Sequence, residues 1–288
     1  MKEVFSMWKH TKMVVLVALS AAIYAAAMIP FKGIIIIPGA SELRPAAVFP
    51  VIFGLLFGPA GAWGAGFGSI IGDMFSFIGP GTPFGFIANF LMAYIPYKIW
   101  DKLGLVKSTD EDPLYLNSVR KLANFFIVGI LGALACALTL GFSGELLVSI
   151  PFAAMASVVA LNNSIAIAIL GPPLMIILYK RIKRWDLLWI DILDEEEVPK
   201  KSLLTFAGTL LILCGIVGGL GTSFWLALTT ANQKFLAAGF QAGTVGGGII
   251  TIVSGLGLSF ILIGALLQTY NKSIILQKDA NISHQKQV

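Results

Sequence analysis

The chain has 288 residues, of which 57% are hydrophobic and only 12% charged, too little polar surface to clothe a water-soluble globule of this size. Twenty Lys and Arg against fifteen Asp and Glu leave a formal net charge of +5, which in a soluble chain would hint at an acidic partner such as nucleic acid. The two histidines, His10 and His284, sit near the chain ends, and the two cysteines, Cys136 and Cys214, lie in separate apolar runs. Histidine catalysis, a zinc site and a disulfide framework have almost no raw material, so no catalytic residue, metal ligand or cofactor is expected.

A helix that crosses the hydrocarbon core needs roughly 20 mostly apolar residues. The first candidate runs from Met13 to about Pro30, behind a polar head carrying Lys2, Lys9 and Lys12. Its apolar part is too long for a signal-peptide core, so it reads as a retained helix. From Pro45 to Gly79 the chain is apolar for longer than one crossing, and FGPAGAWG (57–64) supplies a reversal, giving helices over about 45–58 and 61–78. GPGTP (79–83) turns the chain into a fourth helix, about 84–99. A polar loop follows, then a fifth helix over about 122–140. The apolar stretch 146–179 again exceeds one crossing. It reads as an interfacial helix at about 146–157 and a sixth span at about 159–179. Two more spans are expected at about 203–229 and 245–268. The fold class is therefore an all-α polytopic membrane helix bundle of about eight crossings.

The distribution of charge orients it. Lys and Arg collect in cytoplasmic loops. With both termini in the cytoplasm, seventeen of the twenty basic residues fall inside, and only Lys32, Arg44 and Lys234 outside. The +5 is then an orientation signal and calls for no nucleic-acid partner.

Charges inside spans are expensive and so draw attention. Asp73, in GSIIGDMFSFIG, falls in the outer half of the third helix, where it either meets a ligand or ties neighbouring helices together. In the first outer loop, Ser41 and Glu42 precede Arg44-Pro45, a helix start with Pro in its first turn. Arg44 there is either a bidentate donor to an anionic or carbonyl group or a side chain snorkelling to the interface. The apolar run Gly33–Pro38 is odd for a solvated loop and reads as a lid dipping back over the outer face. Asn89 in the fourth helix and Asn162-Asn163 in the sixth are ligand contacts or interhelix hydrogen bonds. Glu145, Trp63, Tyr94 and Trp225 complete the polar and aromatic inventory. Ala18, Ala22 and Ala26 recur every fourth residue on the first helix and make a flat stripe for close packing, within the fold or against another membrane subunit. No GxxxxGK[ST] occurs, so the chain carries no P-loop.

The alanine stripe, the run LRPAAVFPVIFGLLFGPAGAWGAGFGSIIGD (43–73), the GP-rich turn into the fourth helix and LNNSIAIAILGPPLMIILYKR (161–181) together resemble the substrate-binding S components of energy-coupling factor (ECF) transporters. The resemblance covers about residues 12–184. It implies a six-helix binder of a vitamin or related micronutrient in the cell membrane, energised by a membrane coupling subunit and a pair of ABC-type ATPases. Ala18, Ala22 and Ala26 match that family's docking stripe for the coupling subunit. Glu42, Arg44, Asn89, Asn162 and Asn163 fall in its substrate-contact regions, and Asp73 matches a recurrent GD at the end of the third helix. The expected organisation is a membrane core over 1–184, a cytoplasmic loop over 185–202, and two additional helices with a tail over 203–288. Those extra helices depart from the six-helix pattern, and they keep a rival open: a self-sufficient secondary transporter or channel in which Asp73 couples to an ion.

Overall fold

The computed structural model describes residues 2–31, 33–37, 41–42, 44–76, 78–106, 112–194, 197, 202–237, 243–245 and 248–269, with the backbone alone at 2, 35–37, 41–42 and 269. A short helix α1 (Lys2–Ser6) leads through a 3-10 turn into α2 (Thr11–Met28). The antiparallel strands β1 (Ile35–Ile37) and β2 (Ser41–Glu42) follow, then α3 (Val48–Phe57), α4 (Pro59–Asp73), α5 (Thr82–Ile99) and α6 (Val119–Ser143). Next come α7 (Phe152–Arg184), α8 (Trp189–Ile192), α9 (Leu203–Cys214), α10 (Leu220–Thr230) and α11 (Gly248–Thr269). A π-helical stretch, Gly215–Gly219, joins α9 to α10 without a break. Among the described residues, five segments are long and apolar enough to cross a membrane: Thr11–Phe31, Val119–Val148, Phe152–Ile192, Leu203–Thr230 and Gly248–Gln268. Between the first two lie α3, α4 and α5. With 10 residues, α3 rises only ~15 Å, half the ~30 Å of a hydrocarbon core.

Three sequence expectations change. The separate interfacial helix at 146–157 does not form. Residues 144–148 extend α6 as a π-helical turn, and Ser149 breaks it with φ 55°. Pro151 then stands at the N-cap of α7, where a missing N–H costs no intrahelical bond, so residues 152–157 join one continuous helix. Pro172 and Pro173 lie inside that helix without ending it, as neighbouring helices allow in membrane proteins. The third helix stops at Asp73 rather than running to 78, so this acid is the last residue of α4. The run read as a lid forms β1 of a hairpin, in which Ile35 faces Glu42 and Ile37 faces Ser41; Pro38 lies outside the described residues.

Small residues set the packing. The α3–α4 turn is made by Gly58, with φ 55°, beside Pro59 in the first turn of α4. A Cβ at Gly61 would come within 2.0 Å of the Phe53 carbonyl oxygen, and one at Gly54 within 2.0 Å of the Ala93 carbonyl oxygen, so α3 lies against both neighbours at backbone distance. Gly64 and Gly68 of α4 take Ser20, Ala21 and Tyr24 of α2 in the same way. The C-terminal pair has its own seam. Gly208 faces Gly264, and Gly215 and Gly219 face Gly257, with a Cβ at any of these meeting backbone at 2.6–2.7 Å. This pair packs on α6, where Phe142 meets Gly255, and on α5, where the Tyr94 hydroxyl donates to the Ala265 carbonyl at 2.8 Å.

The helices alternate in direction, so the loops gather at two ends. One end joins Trp63 to the Val4 carbonyl (2.9 Å), Tyr179 to Asp112 (2.8 Å) and His10 to Glu197 (2.7 Å). Lys98, Lys102, Arg120, Lys121, Lys180, Arg181, Lys183 and Arg184 lie there, which makes it the basic end. Within it Glu3 and Lys98 form a buried ion pair, 0% and 6% exposed. The opposite end holds the β-hairpin, the turn after Asp73, the Gly144–Pro151 connection and the segment after Thr230.

Candidate functional site

The buried face of α2 follows helical spacing: Met13, Leu16, Val17, Ser20, Ala21, Tyr24, Ala25 and Met28. Ala18, Ala22 and Ala26 therefore stand on the outside, all exposed, with Val15, Leu19 and Ile23 beside them. The stripe is not used to pack α2 within the fold.

On its buried face α2 carries Tyr24, whose hydroxyl donates to Asn89 Oδ1 at 2.6 Å. Asn89 returns its Nδ2 to the Gly85 carbonyl one turn back on α5, at 2.8 Å. An amide offers two donors and two acceptor sites. Asn89 thus uses one of each in the fold and keeps one of each. Asn163 on α7 is equally buried, 3% exposed, and aims its Nδ2 at two sulfurs, Cys136 Sγ (3.5 Å) and Met92 Sδ (3.6 Å). Thioether and thiol are weak acceptors, so this amide is poorly matched by its neighbours and would exchange them for a carbonyl or ring nitrogen at little cost. Adjacent Asn162 turns to another side of α7, half-buried, where its Oδ1 accepts the Arg44 backbone N–H at 3.4 Å.

The charged groups approach the same place. Arg44 lies within electrostatic reach of both Tyr24 and Cys136, and Asp73 of Tyr24. The Asp73 carboxylate borders the first turn of α5, 3.6 Å from where a Gly85 side chain would start. Five elements, α2, the segment before α3, the end of α4, α5 and α7, therefore direct Tyr24, Arg44, Asp73, Asn89 and Asn163 toward one region. Of Glu42 only the backbone is described; strand β2 lies against α7, so the residue is near, and its side chain lies outside the described set.

Tyr24, Met92 and Cys136 escaped the sequence reading. Tyr24 was legible, with Ser20, as one of the two polar members of α2's buried face. The sulfurs carry no sequence signal beyond being apolar, and only the distances reveal them. The remaining polar inventory belongs elsewhere. Trp63 anchors an aromatic cluster with Phe67, Phe86 and Phe90 near the basic end, Tyr94 bonds to α11, and Trp225 is exposed on α10. Glu145 is buried and accepts the Phe152 N–H at 2.7 Å. Among the described residues, metal-capable side chains converge at His10, Asp194 and Glu197, within 4.8 Å, at the far end of the molecule. The His10–Glu197 hydrogen bond accounts for that approach.

Such an arrangement suits noncovalent capture of a small, polar, hydrogen-bonding molecule: amides and a guanidinium converge amid sulfur and aromatic surface. A protein-family model described as QueT transporter matches residues 14–180, which include every one of these side chains. No curated protein and no solved structure matches.

Proposed function

Since the chain belongs to the QueT transporter family, whose members are transport S components and not enzymes, we propose that it is the substrate-binding membrane subunit for uptake of a queuosine precursor. The observation that carries this reading is the meeting of Tyr24–Asn89, the sulfur-facing Asn163 and the Asn162–Arg44 contact at the end opposite the basic loops. Asn89 and Asn163 present an acceptor–donor edge to the polar rim of a heteroaromatic ligand. Arg44 closes the site from the hairpin side, Glu42 is the further substrate-contact candidate on strand β2, and Asp73 meets a cationic or donor group or fixes α5. The basic end faces the cytoplasm under the positive-inside rule. On this reading the site faces outward in the cell membrane, in a bundle of eight crossings with both termini inside. Residues 1–184 form the binding core, 185–202 a cytoplasmic loop, and 203–288 an added pair of helices with a tail.

Energy comes from partners, because the chain has no P-loop. The exposed stripe Ala18, Ala22 and Ala26 offers a flat helix surface for a coupling membrane subunit joined to ABC-type ATPases. The test is paired. Purified full-length chain is titrated with queuosine precursors by calorimetry, then reconstituted with and without coupling and ATPase subunits. Saturable binding by the chain alone, and concentrative uptake only with the added subunits and ATP, are expected. Ion-driven concentrative uptake by the chain alone would overturn the assignment, as would failure to bind any queuosine precursor.

A further inference from the structure

The start of α7 is a physical problem. Phe152, Ala153 and Ala154 are fully buried, yet the first turn of a helix has backbone N–H groups with no intrahelical partner, and the N-cap Pro151 supplies no side chain to meet them. Two side chains from outside the helix do. Glu145 Oε2 accepts the Phe152 N–H at 2.7 Å, and Gln233 Oε1 accepts the Ala153 N–H at 2.9 Å. The Gln233 amide also donates, to both Glu145 oxygens (3.1 and 3.3 Å) and to the Thr244 carbonyl (3.0 Å). It is 3% exposed and lies 80 residues from the N–H it caps.

Helix α10 and the connection that follows it grip α7 at two further points. The Leu236 N–H donates to Ser157 Oγ at 2.9 Å, one turn into the helix. Phe224 packs edge-on against Phe152, with ring centroids 5.5 Å apart, and stacks on Phe235 at 4.7 Å. Asn162 and Asn163 lie ten and eleven residues from Phe152 on this same continuous helix, about 15 Å along its axis. Any change in the seat of α7's first turn is carried to both amides.

We propose that Gln233, with Glu145, is a positioning residue for the substrate site, and that the C-terminal helical pair is a working part of that site. Gln233 lies outside the residues 14–180 matched by the family model, so this chain holds its binding helix with a piece that the matched region lacks. The inference rests on the assignment of Asn162 and Asn163 to the substrate site.

The test compares the full-length wild type with Gln233→Ala and Gln233→Glu. Hydrogen exchange is followed over residues 152–163, and affinity is measured for a queuosine precursor. In Gln233→Ala the Ala153 N–H and the Glu145 carboxylate lose a buried partner. Exchange of the first turn should speed up, and affinity should fall roughly tenfold. In Gln233→Glu the new carboxyl faces Glu145; two carboxyls in one site share a proton, which lets the pair imitate the amide. This variant should bind like wild type near about pH 5 and lose affinity by about pH 8, as the shared proton leaves and the two charges repel, while wild-type affinity changes little over the same interval. That rescue keeps the proposal testable even if the alanine variant fails to fold. Affinity within about twofold of wild type in Gln233→Ala, or an unchanged pH profile in Gln233→Glu, would overturn it. Absence of precursor binding by the wild type would instead refute the ligand assignment, and the exchange data would still decide whether Gln233 holds α7.

Discussion

Replacing Tyr24 with Phe deletes one oxygen from the centre of the candidate site. The hydroxyl is 2.6 Å from Asn89 Oδ1, and both residues are almost fully buried, 1% and 2% exposed. For buried hydrogen bonds in water-soluble proteins, an orphaned acceptor costs about 1–3 kcal/mol. Between helices in a bilayer the average worth is only ~0.6 kcal/mol, with an upper reach of ~1.7, because the unfolded chain in lipid also finds partners. The smaller range applies here, since Tyr24 and Asn89 join α2 to α5. At about 2–4 °C per kcal/mol, the thermal midpoint followed by tryptophan fluorescence should fall by about 1–7 °C. Affinity should fall less than about tenfold, since Asn89 keeps its bond to Gly85 and the same ligand-facing donor and acceptor. A double-mutant cycle with Asn89→Leu should show coupling of about 1 kcal/mol. Zero coupling would refute the claim that Tyr24 acts through Asn89. An affinity loss well beyond tenfold would also refute it, because the hydroxyl would then be a direct ligand contact.

Ala22→Trp should leave precursor binding unchanged and abolish co-purification with the coupling subunit; intact co-purification would remove the docking role from the stripe. Lys98→Met should destabilise the chain by about 3–5 kcal/mol, because it leaves the Glu3 carboxylate buried without its counter-charge, and Glu3→Leu in the same chain should recover most of the lost midpoint. At the basic end, hydrogen bonds from Lys183 and Tyr179 hold the Asp112 carboxyl below its ordinary value. Its small stabilising effect is therefore present above the usual carboxylate range near pH 4 and is lost as pH falls through the lowered native value. The midpoint difference between wild type and Asp112→Asn should be modest at neutral pH, given the group's exposure, and should close below about pH 4.

Apolar run lengths were enough to place most of the helices, because hydrophobic length and Gly/Pro punctuation are local properties. The helix at 146–157 failed for a local reason as well: it was drawn across Pro151, when a proline in that place opens a helix. Asp73 ends its helix rather than sitting inside it, because the run after it is apolar enough to extend a pattern that the backbone abandons after Asp73. Asn89 and Asn163 were visible as amides in apolar helices, but which of their acceptors and donors the fold consumes depends on Tyr24, which donates to the Asn89 oxygen, and on Met92 and Cys136, which face the Asn163 nitrogen, all far away in sequence. Gln233 was the least legible. It sits in a polar stretch that reads as a solvated loop, and its burial becomes intelligible only through a carboxylate 88 residues earlier.

The length of α7 has a mechanical consequence. Its 33 residues rise ~50 Å, about 20 Å more than the hydrocarbon it has to cross. Standing upright, it overshoots the bilayer, and Lys180, Arg181, Lys183 and Arg184 ride on the overhang, where ammonium and guanidinium groups meet headgroups and water. To fit wholly within the slab it would have to lean beyond fifty degrees, more than membrane helices ordinarily do. The overhang is thus slack: the helix can lean through a wide angle before any of those four cations is drawn into oil.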